Sequence, residues 1–188
     1  MVCLGGERIN DFHQKLCYSL GEQQEFDYKI LMQHIPSCIK IEKTDVETDK
    51  TGIDYVATLR GGAKVFIDAK TREPGCSKHW RHGEPELAIE TWSVWKTNQN
   101  EGIAGWTYKE SSNVDYILYT FPKEDCKEYF FIPFQLLRKV AKENGEKWSK
   151  TYRPLKQQNK GYFSVAMFVP ASVVLNAIRD SMIGIRPD

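Results

Sequence analysis

Asp54, Asp68 and Lys70 carry the arrangement in this chain most able to do chemistry; they fall within GIDYVATLRGGAKVFIDAK, Gly52 to Lys70. Asp54 opens an apolar, β-prone run, Gly61-Gly62 makes a turn, and Val65-Phe66-Ile67 leads a second run into Asp68 and Lys70. Alternate residues of a strand share a face, so Asp68 and Lys70 are expected to project together. Two carboxylates and a lysine at a strand end suit a divalent cation and an oriented water, the needs of phosphodiester hydrolysis.

The elements that must hold this trio can be read from periodicity. Ile9, Phe12, Leu16 and Leu20 predict a first helix over about 8–20, and Gly21 is expected to break it. Phe26, Ile30 and Leu31 predict a second helix over about 22–34, ended before Pro36. Residues 38–43 alternate as a half-buried strand does, and the Asp54 and Asp68 runs then form a hairpin. Residues 86–95 fit strand or helix, and their β-branched and aromatic content favours strand; further strands are expected at 114–121, 129–132 and 162–169, with helices over 134–144, closed by Gly145, and from 170 to about 182. Helix, mostly sequential strands, then helix predicts an α/β or α+β domain, a mixed central β-sheet flanked by helices. With 188 residues and no repeat, one domain over 1–188 is expected.

The spacing of Asp54, Asp68 and Lys70 resembles the signature of the PD-(D/E)XK nuclease superfamily. There an acid opens one core strand, and an acid-x-lysine triplet sits on the next. Here the halves are GID (Gly52 to Asp54) and DAK (Asp68 to Lys70), with Ile53 in place of proline and Asp68 where glutamate is common. The resemblance implies a restriction-endonuclease-like or junction-resolvase-like core and a metal-dependent endonuclease acting on DNA. It assigns Asp54 and Asp68 to Mg²⁺, with Mn²⁺ as a substitute, and Lys70 to the attacking water. It also implies an accessory glutamate from the first helical region, for which Glu25 stands beside the apolar stripe, with Glu22 and Glu7 as alternatives. Glu90 is a further candidate: if 86–94 pairs next to the DAK strand, Glu86 and Glu90 share a face near the metal. A homodimer with one site per strand is implied in the same way.

Nucleic-acid contacts are expected from the loop after the triplet and from a basic stretch near the C-terminus. Lys78, His79, Trp80, Arg81 and His82 place bases and a ring in a loop rich in turn formers, expected to be mobile. Residues 138–160 carry eight bases against two acids, with Lys150, Arg153 and Lys156 beside Trp148 and Tyr152. Trp92, Trp95, Trp106 and Tyr108 are read as packing residues. Cys76, His79 and His82 form a C-x2-H-x2-H pattern, but no fourth ligand is near and the spacing fits no common zinc finger.

Composition narrows the class. Hydrophobic residues make up 41% and charged residues 27%, as in an ordinary globular protein, and the net charge is only +1. No apolar run approaches a membrane span, MVCLGGERIN is no signal peptide, and five scattered cysteines read as reduced thiols, so a cytoplasmic location is expected. There is no P-loop, no G-x-G-x-x-G after a strand and no G-x-S-x-G elbow, which leaves ATPase, nicotinamide-enzyme and serine-hydrolase readings without support. The alternative from another class is a catalytically silent nuclease-fold module that binds nucleic acid or a protein partner. RNA in place of DNA is a third option.

Overall fold

The structure, a computed structural model, describes residues 7–45, 52–72, 76–95, 102–122, 127–159 and 162–183; the side chains of 7–20, His79, Pro122 and Lys127 are outside that description. The described elements run α1 (Glu7–His34), β1 (Cys38–Lys43), β2 (Tyr55–Leu59), β3 (Lys64–Thr71), a 3-10 turn (Cys76–His79), β4 (Glu86–Trp95), β5 (Gly102–Ala104), β6 (Tyr116–Pro122), β7 (Lys127–Pro133), α2 (Phe134–Thr151), β8 (Leu155–Asn159), β9 (Tyr162–Pro170) and α3 (Ala171–Ile183). The fold is α+β. Its strands form two sheets, β1-β2-β3-β6-β7 and β5-β4-β9-β8, where one central sheet was expected.

The chain divides into two compact units, Met1–Glu42 with Ala57–Lys64, and Lys43–Val56 with Val65–Asp188. The first holds α1, β1 and the hairpin tip. Here α1 is one helix of 28 residues, not two. Glycine in a helix interior costs only ~1 kcal/mol, and Gly21 sits in open space with a helical backbone, so it does not interrupt the run. At the tip, Leu59 and Ala63 close the turn by N–H to carbonyl at 2.8 Å, and Gly62 takes the positive φ of 83° that an L side chain resists.

The second unit holds most of the core. In β6 both faces are buried, with Ile117, Leu118, Tyr119, Thr120 and Phe121 at most 3% exposed. This strand runs parallel to β3, with Asp68 opposite Ile117 and Lys70 opposite Tyr119. A parallel neighbour buried on both faces is what its unbroken apolar run requires. In β9, Val165, Met167 and Val169 alternate inward, antiparallel to β4, whose Leu87 and Ile89 meet the same cluster. The sheets are tied by Tyr119, whose hydroxyl accepts the N–H of Ala88 at 3.0 Å.

Two helices close this core. Phe134, Leu137, Ala141 and Trp148 form the buried stripe of α2, and Ala171, Val174 and Ile178 that of α3. Gly145 does not end α2, which continues to Thr151. A Cβ at 145 would lie 2.8 Å from the hydroxyl of Tyr108, which donates to the carbonyl of Ala141 at 3.0 Å. The glycine makes room for a ring rather than a stop. Strand β6 begins at Tyr116 rather than 114, and β5 and β8 are strands that periodicity did not predict. Lys78 and His79, in the loop expected to be mobile, belong to the 3-10 turn Cys76–His79.

Candidate active site

Asp54 stands one residue ahead of β2, where its backbone and side chain both engage β3. Its N–H donates to the carbonyl of Ile67 at 2.9 Å, and its Oδ2 accepts the N–H of Ala69 at 2.6 Å. An acid at this point takes over the ladder bond that a longer strand would have made. Its carboxylate is thereby held beside residue 68, between the two contacts. Thr44 pins the same segment from the other side: its N–H donates to the Asp54 carbonyl at 2.9 Å, and its hydroxyl to that of Ile53.

Asp68 is 3% exposed and its Oδ1 receives the Lys70 ammonium at 2.6 Å. The i, i+2 pair shares a face, as strand geometry demands. Burial lifts the Asp54 carboxyl above its ordinary range; the Ala69 N–H opposes this, contact with and the charge of Asp68 add to it, and Lys70 opposes it. Two interacting carboxylates, one resisting ionisation, form a set whose charge a bound cation would relieve. Hard oxygen donors of this kind suit Mg²⁺, which commonly takes one or two carboxylates and keeps several waters.

Asp68 and Lys70 open onto a cleft of about 260 Å³, lined also by Ser93, Trp106 and Lys109. The Lys70 ammonium lies 5.6 Å from the centre of the Trp106 ring, which packs against Phe134 at 6.1 Å. A cation over an indole face gains from the ring's quadrupole, so Trp106 helps hold Lys70 in place.

No protein-family model, curated protein or solved structure matches this chain.

Glu90 enters this site in a way that differs from expectation. Strand β4 lies in the second sheet, between β5 and β9, and does not pair with β3. The Glu90 carboxylate is engaged by the Ser93 hydroxyl at 2.6 Å and the Trp106 N–H at 3.1 Å. It therefore positions the turn that carries Trp106. Glu86 is buried and accepts the N–H of Arg81 at 3.0 Å, away from the Asp54–Asp68 pair and in a different cleft. Glu25 and Glu22 are exposed residues of α1, and the side chain of Glu7 lies outside the described residues. Among the described side chains of that helix the buried acid is Asp27, which accepts from Gln23 at 2.7 Å.

The expected phosphate-contacting residues are dispersed. Lys78 is exposed on the 3-10 turn, and the side chain of His79 lies outside the described residues. Lys150 pairs with Glu146 at 2.6 Å, Lys156 sits 4.0 Å over the Trp95 ring, and Arg153 is exposed. Trp148 is 3% exposed in the core and offers no surface, whereas Trp92, read as packing, is 39% exposed. Among the described residues no group of three or more His, Cys, Asp and Glu side chains is placed to hold a metal. No helix among them is long and apolar enough to cross a membrane.

Sequence reasoning assigned Trp106 to packing and passed over Lys109 and Arg72. Nothing in the local pattern marks Trp106 or Lys109. Arg72 does carry a signal, since D-x-K-x-R continues the same-face alternation one step beyond Lys70.

Proposed function

We propose that this protein is a Mg²⁺-dependent endodeoxyribonuclease of PD-(D/E)XK type. The observation that carries the reading is the placement of Asp54, Asp68 and Lys70: the Asp54 carboxylate is held on the Ala69 N–H at 2.6 Å, between Asp68 and Lys70, and Lys70 is 2.6 Å from Asp68. The acid ahead of β2 and the triplet on adjacent β3, in a mixed sheet, support the same reading.

Asp54 and Asp68 are the residues that would hold the cation. When bound, it would lower the pKa of a water and offset charge on the scissile phosphate. Lys70, kept in place by Asp68 and Trp106, orients the attacking water and steadies the charge developing on the phosphate oxygens. Attack of that water on phosphorus breaks one backbone P–O bond, so a double-strand cut takes two sites, as two copies of the chain would supply. Lys109, on the wall of the same cleft, adds a second positive charge toward the substrate backbone.

The test incubates purified protein with supercoiled plasmid, branched DNA, single strands and RNA, in Mg²⁺, Mn²⁺ or EDTA. Cutting is expected with either metal and not with EDTA, and is expected to be lost in Asp68→Ala and Lys70→Ala. Binding that survives both substitutions, without cutting of any substrate, would replace the enzyme with a silent binding module.

A further inference from the structure

Beyond Lys70 on β3 lies a second cleft of about 390 Å³, lined by Arg72, Cys76, Trp80, Arg81, Glu86, Leu155 and Phe168. We propose that it holds the nucleotide next to the scissile one, with its phosphate between Arg72 and Arg81. This rests on the nuclease reading and adds to it a substrate subsite.

Arg72 is placed by the strand that places the catalytic pair. Its N–H donates to the carbonyl of Thr120 at 2.9 Å, and its guanidinium lies 4.9 Å from the centre of the Phe168 ring. The charges of Arg72 and Lys70 both act on the Tyr119 hydroxyl, as expected for neighbours on one face. A rise of ~3.3 Å per residue sets Arg72 roughly 7 Å beyond Lys70, on the scale of one backbone step of a nucleic-acid strand. Stacked on a ring, a guanidinium keeps its edge donors free for an anion.

Arg81 reaches the same cleft from the following loop. Its backbone N–H donates to Glu86, a residue 5% exposed, so a buried acid fixes the loop backbone that carries an exposed arginine. Among the described residues neither guanidinium is paired with a carboxylate. Arg72, Arg81 and Glu86 leave the cleft a net charge of +1, while Trp80, Leu155 and Phe168 give it an apolar wall. One phosphate with a sugar and base attached matches both parts, and the volume is in the range of small-ligand sites.

The experiment measures steady-state cleavage and, in EDTA, the binding of a labelled DNA oligonucleotide over a salt series, for wild type, Arg72→Ala and Arg81→Ala. Each variant is expected to raise KM and Kd about tenfold, with kcat little changed, and to lower the salt slope by about 1. A neutral methylphosphonate one step from the cut is expected to weaken wild-type binding and to add little to the loss in either variant. Arg81 is exposed, so its variant remains informative if Arg72→Ala folds poorly. Unchanged KM, Kd and slope in Arg81→Ala, with cleavage still abolished by Asp68→Ala, would overturn the subsite and leave the nuclease. No cleavage of any substrate, with oligonucleotide binding weakened in both arginine variants, would overturn the nuclease and keep the subsite for a nucleic-acid strand.

Discussion

Glu90 accepts the backbone N–H of Trp106 at 3.1 Å, and the Trp106 ring lies 5.6 Å from the ammonium of Lys70. An acid of the second sheet thus acts on Lys70 of the first through one hydrogen bond and one ring. Acting through Trp106, it is a positioning residue.

Glu90→Ala is therefore expected to lower kcat about tenfold, comparable to the loss of one charge-assisted hydrogen bond, with the Mg²⁺ dependence unchanged. Glu90→Gln keeps an acceptor for the Trp106 N–H and should recover most of the rate. Rates across a Mg²⁺ titration decide it. A higher Mg²⁺ requirement in Glu90→Ala would make the residue a metal ligand instead.

Gly105 leads into the same turn. A Cβ there would lie 2.2 Å from the carbonyl oxygen of Glu90, while one at Gly61 would meet nothing within 4 Å. Gly105→Ala should cost about 1–3 kcal/mol through forced backbone movement, and Gly61→Ala should leave stability nearly unchanged. Denaturant melts of the two variants test this pair; equal midpoints would show that the turn yields freely.

Asp54 ties stability to pH. Burial, with the contact of Asp68, raises its carboxyl above the ordinary range against the pull of Ala69 and Lys70. A raised folded pKa contributes stability that is fully present below the unfolded value, ~3.9, and lost as pH rises through the folded one. At neutral pH the ionised Asp54 is a cost. Asp54→Asn should melt higher than wild type at pH 7, lose that advantage in acid, and show no cleavage. A variant that melts lower at pH 7 would contradict the sign.

Mg²⁺ should relieve the same strain. At ten times its Kd a ligand specific to the folded state stabilises by about 1.4 kcal/mol. Wild type is expected to melt higher with Mg²⁺ than with EDTA at pH 7, and Asp68→Asn is expected to respond much less. Equal shifts in both proteins would place the metal elsewhere.

The basic stretch near α2 has its own readout. Lys150 is paired with Glu146 and Lys156 is stacked on Trp95, yet both remain available to a phosphate backbone of higher charge density. The triple variant Lys150→Ala/Arg153→Ala/Lys156→Ala should show a salt slope of DNA binding lower by at least about 1. Identical slopes would leave that face to solvent.

The residues themselves determined what depends on local spacing. The i, i+2 relation of Asp68 and Lys70 follows from strand geometry, and Gly61-Gly62 marks the hairpin, so both were legible. The β-branched and aromatic content of 86–95 tilted that run toward the strand β4, and 162–169 read as the strand β9. Tertiary structure alone decided which partners those strands take. An apolar run states that a face is buried and not against what, so Glu90 was read toward β3 while β4 pairs with β9. Gly145 was legible as a small residue but not as room for Tyr108, because the ring arrives from 37 positions away. The same limit hid Trp106 and the second cleft: side chains distant in sequence converge there only once the sheets have paired.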